Sequence, residues 1–250
     1  MPQLLRVNPD LDRAGLARAF RKTGRIQVPD VLAPESAAAL RDILEKRTPW
    51  LVTWCAGSGG ARYIPPDRLA AMDRKEAESV ERAILDSGRK GEFCYLYMSY
   101  PLDVAFASKW HPGSVQEQVR EELRGDEFAS LLRDITGKSE IVGADGYLTH
   151  FAPGHFLSLH SDEGSKWRRV VAFVLNLTFT EWEPDFGGYL TFYDDEGNVD
   201  RAFKPRFNSL NLFTVPQSHS VTRVSSFAPM GRAAISGWAR ETLEPPRAQG

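Results

Sequence analysis

Apolar positions recur with two different periods along this chain, and the change falls near residue 140. Before it, the texture is mixed helix and strand. Leu11, Ala14, Leu16, Ala17 and Phe20 share one helical face, which predicts a helix over 11–21. Pro34 opens a second helix, carried by Ala38, Leu40, Ile43 and Leu44 up to Lys46, at a position where its missing N–H costs nothing. Residues 25–28 and 49–54 read as short strands. Cys55 to Asp67 reads as a loop because glycines and paired prolines dominate it. A helix over 69–86 ending at Gly88, an aromatic strand over 92–100, and helices over 115–123 and 128–135 follow, with Gly137 as the last stop.

After residue 140 the runs shorten. IVGADGYLTHF, HFLSLHSD, RRVVAFVLNLTF, GGYLTFYDD, SLNLFTVP, SHSVTRVS and RAAISGWAR are rich in β-branched and aromatic residues, with turn chemistry between them. That series predicts an all-β sandwich or barrel rather than βαβ units. With no repeat and no clear linker, the reading is a single domain over 1–250. Residues 1–139 form its helix-rich part, 140–240 its β core and 244–250 a short loose tail.

Composition removes several function classes. The 250 residues carry 31 Lys plus Arg against 33 Asp plus Glu, a net charge of −2, so no bulk basic charge holds nucleic acid or an anionic membrane. No run approaches the roughly 18 apolar residues of a membrane span, and the N-terminus lacks the apolar core of a secretory signal. Only Cys55 and Cys94 are present, too few for a zinc cluster and no sign of a disulfide scaffold; a reducing cytoplasm fits. The glycines of 55–67 lack the Gly-Lys-Ser/Thr ending of a phosphate loop, which excludes that mode of nucleotide binding.

The candidate chemistry lies in the β half. His160 and Asp162 are two apart, so in a strand they project to one face, where an imidazole and a carboxylate can grip one ion. His219 lies near the start of another strand. Two histidines and one carboxylate make a facial triad, the donor set of non-haem Fe(II), and leave open positions for a bidentate cosubstrate and dioxygen. The bland alternative for His160 and Asp162 is a pair of solvent-facing strand residues. The alternating Phe93, Tyr95 and Tyr97 read first as core packing and second as substrate contacts. Arg62 and Tyr63 are the reaching side chains of a candidate lid over 55–66.

The text around these residues carries a resemblance. Phe151-Ala-Pro-Gly-His-Phe-Leu-Ser-Leu-His-Ser-Asp162 resembles the aromatic-x-x-Gly-x-x-x-x-x-His-x-Asp signature of 2-oxoglutarate-dependent Fe(II) dioxygenases. The branch it looks most like is the prolyl hydroxylases, which include the hypoxia-sensing enzymes and their ribosomal-protein relatives. Phe173 to Leu177, Trp182 to Leu190 with Gly187 and Gly188, Asn208 to Val221, and Arg232-Ala-Ala-Ile-Ser-Gly-Trp238 are similar to later family segments, in the same order. The resemblance covers about 140–240; the helical half is only loosely similar.

This resemblance implies a mainly β fold with flanking helices. Its core would be a double-stranded β-helix, a jelly-roll and cupin-like architecture. It implies Fe(II) held by His160, Asp162 and His219, with 2-oxoglutarate as cosubstrate, O2 as oxidant and ascorbate as a reductant. The cosubstrate would chelate iron through its C1 carboxylate and C2 ketone. Its far carboxylate would meet Arg232, thirteen residues after His219, with Arg223 and Arg240 as competitors. Ala234 stands where some relatives have Ser, although Ser236 follows on the same face. Phe151 and Val174 stand where prolyl hydroxylases have tyrosines, leaving Tyr147 or His150 to replace the hydroxyls. The implied 2-oxoglutarate set is therefore Arg232, Tyr147, Ser236 and Phe151, and the substrate set Arg62, Tyr63, Tyr97 and Trp238.

The implied activity is hydroxylation of a C–H bond, of a prolyl residue in a protein or of a small molecule such as an amino acid or biosynthetic intermediate, by a monomer or homodimer. Succinate and CO2 would be released. Asp162 argues against a halogenase, which replaces this carboxylate with a small residue. From another class, a non-catalytic cupin-like metal-binding module stays open, although cupins favour His-x-His with a nearby Glu and the motif here is His-x-Asp.

Overall fold

The structure is a computed structural model that describes residues 2–163 and 168–243. The tail at 244–250 lies outside the described residues. The first half contains α1 (Arg13–Thr23), β1 (Arg25–Pro29), α2 (Pro34–Lys46), β2 (Leu51–Ala56), β3 (Arg62–Ile64), α3 (Pro66–Ala70), α4 (Arg74–Arg89), β4 (Cys94–Pro101), α5 (Leu102–Ala107), α6 (Val115–Arg124) and α7 (Asp126–Thr136). The described part of the second half is mostly strand, with one short 3-10 turn at Pro184–Phe186: β5 (Gly143–Phe151), β6 (Phe156–His160), β7 (Arg169–Asn176), β8 (Leu190–Tyr193), β9 (Val199–Phe203), β10 (Ser209–Thr214), β11 (His219–Val221) and β12 (Arg232–Arg240).

Strands β5 to β12 form two antiparallel layers, ordered β10-β7-β12-β5 and β6-β11-β8-β9. The chain crosses from one layer to the other at nearly every turn, which is the double-stranded β-helix. β1 extends the first layer beyond β10. β4 closes one side, pairing β5 through Met98 to Pro101 and β6 through Tyr95 and Leu96.

α1, α2 and α5 to α7 cover the outer face of the first layer, α3 and α4 pack on β2 and β4, and strand alternation sorts the side chains. Val171, Phe173 and Leu175 of β7 and Ala233, Ile235 and Ala239 of β12 point outward into one core with Phe128, Leu131, Leu132 and Ile135 of α7. Phe128 meets Phe173 edge-on at 5.2 Å. Burial of each such Leu, Ile or Phe contributes about 1.5–3 kcal/mol. Because β7 is covered on both faces, its sequence reads as a nearly continuous apolar run rather than an alternating one.

Two local readings are corrected. The expected loop 55–67 is a hairpin: Val52, Thr53 and Trp54 of β2 pair Ile64, Tyr63 and Arg62 of β3 around a short 3-10 turn. The expected helix 69–86 is two helices, because Asp73 accepts from the Glu76 N–H while Glu76 reaches back to the Asp73 N–H, a capping box that restarts the chain. α4 then runs through Gly88 to Arg89. No helix among the described residues is long and apolar enough to cross a membrane.

Candidate metal centre and active site

β6 and β11 are antiparallel neighbours, and their register sets His160 directly opposite His219, with ring centroids 4.1 Å apart. Past the end of β6 the backbone turns into the left-handed region at Asp162, φ 62, which Asp tolerates better than a β-branched residue. The turn places the carboxylate between the two imidazoles. Oδ1 is 3.7 Å from His160 Nε2, and Oδ2 is 3.7 Å from His219 Nε2.

Each imidazole is fixed from behind. His160 Nδ1 donates to Ser158 O at 3.0 Å and His219 Nδ1 donates to Gln217 O at 2.7 Å. A carbonyl can only accept, so the proton sits on Nδ1 and the Nε2 lone pair faces the cluster. Burial keeps both rings neutral: it lowers the His160 pKa against the pull of Asp162, and together with His160 it lowers His219 to about 4. The ligand atoms of the three residues lie within 4.8 Å of one another. Two neutral imidazole nitrogens and one carboxylate on one side of a cavity fit Fe(II) with positions left open.

Asp162 is braced in turn. Trp238 Nε1 donates to Oδ2 at 2.9 Å, and Arg169 Nη1 donates to Oδ1 at 3.2 Å and to the Asp162 carbonyl at 3.0 Å. The Arg169 guanidinium lies over the Trp238 indole, 3.8 Å from its centroid. Two side chains from two places in the sequence thus fix one carboxylate.

Arg232 opens β12 on the same inner face, fully enclosed at 2% exposure. Its Nη1 donates to Gly188 O at 2.7 Å and its Nη2 to Asn176 Oδ1 at 3.3 Å, while Nε has no partner. The Phe151 ring lies 5.4 Å away. Desolvation pulls its pKa down to about 10. A buried cation held only by neutral acceptors is expensive unless an anion reaches it, and a planar fork suits a carboxylate. The residues present therefore fit a dicarboxylic cosubstrate as well as a metal.

Arg232 and the triad line one cavity of about 720 Å³. Tyr147, Phe151 and Ser236 line it too, Tyr147 and Ser236 being opposite in register, as are Phe151 and Arg232. Tyr63, Tyr97 and Trp238 also face it. Arg62 does not: as the Trp54 partner in the hairpin register it folds back over the Trp54 ring at 4.7 Å. Arg223 lies beyond β11, exposed over Phe156, and Arg240 pairs with Asp145 at 2.8 Å; neither lines the cavity. His150 is also corrected. It alternates to the outer face of β5, between Trp50 and Phe179, whereas Tyr147, Thr149 and Phe151 face inward.

Sequence reasoning missed Arg169, Asn176 and Thr149. An Asn inside the apolar run of β7 was the available signal, since a buried amide needs partners. Thr149 sits between Tyr147 and Phe151 at strand spacing, and its hydroxyl is 3.2 Å from Ser236 Oγ. Nothing local marks Arg169, whose partners lie 7 and 69 positions away in sequence.

Residues 147–240 match the family model of the 2OG-Fe(II) oxygenase superfamily. That stretch contains every residue of the metal cluster and Arg232. The fold is also that of solved structures. A Pseudomonas putida prolyl-4-hydroxylase aligns with TM-score 0.56 and 18% identity over 91% of this chain and 98% of that one. A Trichoplax adhaerens prolyl hydroxylase, solved with a hypoxia inducible factor peptide fragment, aligns with TM-score 0.57 and 15% identity over 92% and 89%. The non-heme α-ketoglutarate dependent epimerase SnoN from nogalamycin biosynthesis aligns with TM-score 0.54 and 12% identity over 95% and 90%. No curated protein matches the chain. The resemblance read from the motifs, to this superfamily, is met by the family model over 147–240, and the expected fold by the solved structures.

Proposed function

We propose that the protein is a 2-oxoglutarate- and O2-dependent Fe(II) oxygenase that hydroxylates a C–H bond. One observation carries this reading: a buried Arg232 with no anionic partner among the described residues shares a cavity with a His-Asp-His cluster whose Nε2 atoms face one point. When bound, Fe(II) with 2-oxoglutarate supplies the chemistry in the balance R–H + 2-oxoglutarate + O2 → R–OH + succinate + CO2.

The chain's own residues do the rest. His160, Asp162 and His219 would hold the iron. Trp238 and Arg169 keep the Asp162 carboxylate turned toward the imidazoles. Arg232 binds the far carboxylate of the cosubstrate, with Asn176 and the Gly188 carbonyl orienting the guanidinium. Gly187 and Gly188 make that approach possible: a Cβ on Gly187 would lie 2.2 Å from Arg223 O, and one on Gly188 3.3 Å from Arg232 Cδ. Phe151, Val174 and Leu190 keep water away from the inner end of the cavity.

Anaerobic titration of the apo-protein with Fe(II) and then 2-oxoglutarate tests the reading. A weak visible charge-transfer band is expected, absent in His160→Ala and needing far more 2-oxoglutarate in Arg232→Ala. No band and no tight iron binding would sink it, leaving a non-catalytic binding module. The solved structures carry names from prolyl hydroxylation and from nogalamycin biosynthesis. The frame alone therefore does not choose between a prolyl residue and a small molecule.

A further inference from the structure

We propose that Tyr63, Tyr95 and Tyr97 form the substrate-recognising wall, and that the substrate is an uncharged small molecule built on rings that carry hydroxyl or carbonyl groups. This rests on the oxygenase reading above and names the substrate class of the same site.

The first ground is hydrogen-bond accounting. Tyr100 and Tyr193, away from the cavity, engage their hydroxyls with His111 and Ser220. Tyr63, Tyr95, Tyr97 and Tyr147 line the cavity, and among the described residues their hydroxyls have no partner. Their phenols are close enough to raise one another's pKa, on top of the larger effect of burial. A group of phenols collected at one place, each able to donate and accept, suits hydroxyl and carbonyl groups.

The second ground is the shape of the wall. Phe93 meets Tyr95 edge-on at 5.4 Å, Tyr95 meets Tyr97 at 5.0 Å, and Tyr97 stacks on Phe151 at 4.9 Å. Phe151 in turn lies beside Arg232, so rings run from the mouth to the cosubstrate pocket. At the mouth Tyr63, Phe93 and Leu159 are exposed by 37%, 38% and 53%. Such a surface desolvates planar rings well and extended polar chains poorly.

Charge is the third ground. Arg232 serves the cosubstrate, and Arg169 is held by Asp162 and Trp238. Glu163 lines the cavity as an exposed residue. Among the described residues no other charged side chain lines the cavity outside the metal cluster, so none is left inside to fix an ionic group. The volume of about 720 Å³ lies within the range of small-molecule sites. β4 and β6 contribute much of this wall, and each is already paired on both edges, so neither offers an edge to an extended peptide.

Calorimetric titration of the full chain, alone and with Mn(II) plus 2-oxoglutarate, tests the assignment. The probes are naringenin, coumarin and 1,8-dihydroxyanthraquinone, against free L-proline and a short proline-containing peptide. At least one ring compound is expected to bind saturably, about tenfold more weakly in the Tyr63→Phe/Tyr95→Phe double variant, which loses only two hydroxyls. Formation of the charge-transfer band in that variant verifies its fold. Binding of the peptide or proline with none of the three ring compounds overturns the proposal, as does ring binding unchanged in the double variant. A normal band without ring binding sinks the substrate assignment alone. Tyrosine-dependent ring binding without any band sinks the oxygenase reading and leaves the wall standing.

Discussion

Arg232 reaches Asn176 Oδ1 at 3.3 Å, an amide where a buried guanidinium would ordinarily have a carboxylate. Among the described residues no acid lies within 4.0 Å of it. The site therefore holds an unspent positive charge in a dry place, and 2-oxoglutarate is expected to stabilise the fold as it binds. Arg232→Ala should weaken 2-oxoglutarate binding by about a hundredfold or more, since charge-assisted hydrogen bonds of this kind are worth about 1.5–3 kcal/mol each. Asn176→Ala, which removes only the orienting partner, should cost about tenfold. Anaerobic titration of the charge-transfer band reads both. Equal affinity in wild type and Arg232→Ala would remove Arg232 from the pocket.

Trp238 acts on Asp162 through a single N–H. Trp238→Phe removes the 2.9 Å bond to Oδ2 and keeps most of the ring beneath Arg169. Loss of a partner that orients a metal ligand lowers metal affinity about 10–100-fold. Competition against a chelator, with Mn(II) as probe, should show that drop, and unchanged affinity would make the indole a packing group only. The same assay on Asp162→Ala should show no tight site.

On the proposed function, Gly188 joins backbone geometry to cosubstrate binding. Its φ of 66 is strained for an L side chain, and an added Cβ would press at 3.2–3.3 Å on Val224, Arg232 and Trp182. Gly188→Ala should cost more than about 1 kcal/mol of stability and weaken 2-oxoglutarate, because the carbonyl that accepts from Arg232 Nη1 moves with it. Urea unfolding and the band titration read the two effects on one sample. A stability loss with unchanged 2-oxoglutarate affinity would mean the guanidinium is placed without that carbonyl.

Much of this was legible in the chain because it was local. The two-residue spacing of His160 and Asp162 marked a shared ion, although a left-handed turn past β6 rather than strand alternation brings the carboxylate there, and the short β-branched runs after residue 140 announced the layers. What stayed hidden depends on register between distant strands. Arg169 and Trp238 meet only because β12 lies beside β7. Alternation alone leaves open which face of β5 is inner; Tyr147, Thr149 and Phe151 line the cavity, which turns His150 outward onto Trp50 and Phe179. Arg62 looked like a reaching side chain until the 55–67 stretch closed into a hairpin and turned it onto Trp54.

His150 and His155 give the protein an acid limit that owes nothing to the metal. Both are half-buried and lie outside the cavity lining, and desolvation, the largest cause in each case, lowers their pKa from 6.5 to about 4. His150 has neither nitrogen paired and sits between Trp50 at 5.6 Å and Phe179 at 5.4 Å. Between about pH 4 and 6.5 the unfolded chain binds these protons and the folded chain does not, so stability falls as pH falls through that window. Each histidine contributes up to about 3 kcal/mol to the loss. His150→Phe keeps an aromatic ring in an apolar slot and removes the titration. Its stability near pH 7 should stay within about 1.5 kcal/mol of wild type, and its decline toward about pH 4.5 should be visibly shallower. Urea unfolding of both proteins across that range, in chelator so that the metal histidines behave alike, decides the matter. Two parallel curves would show that His150 is protonated in the fold as readily as in the unfolded chain.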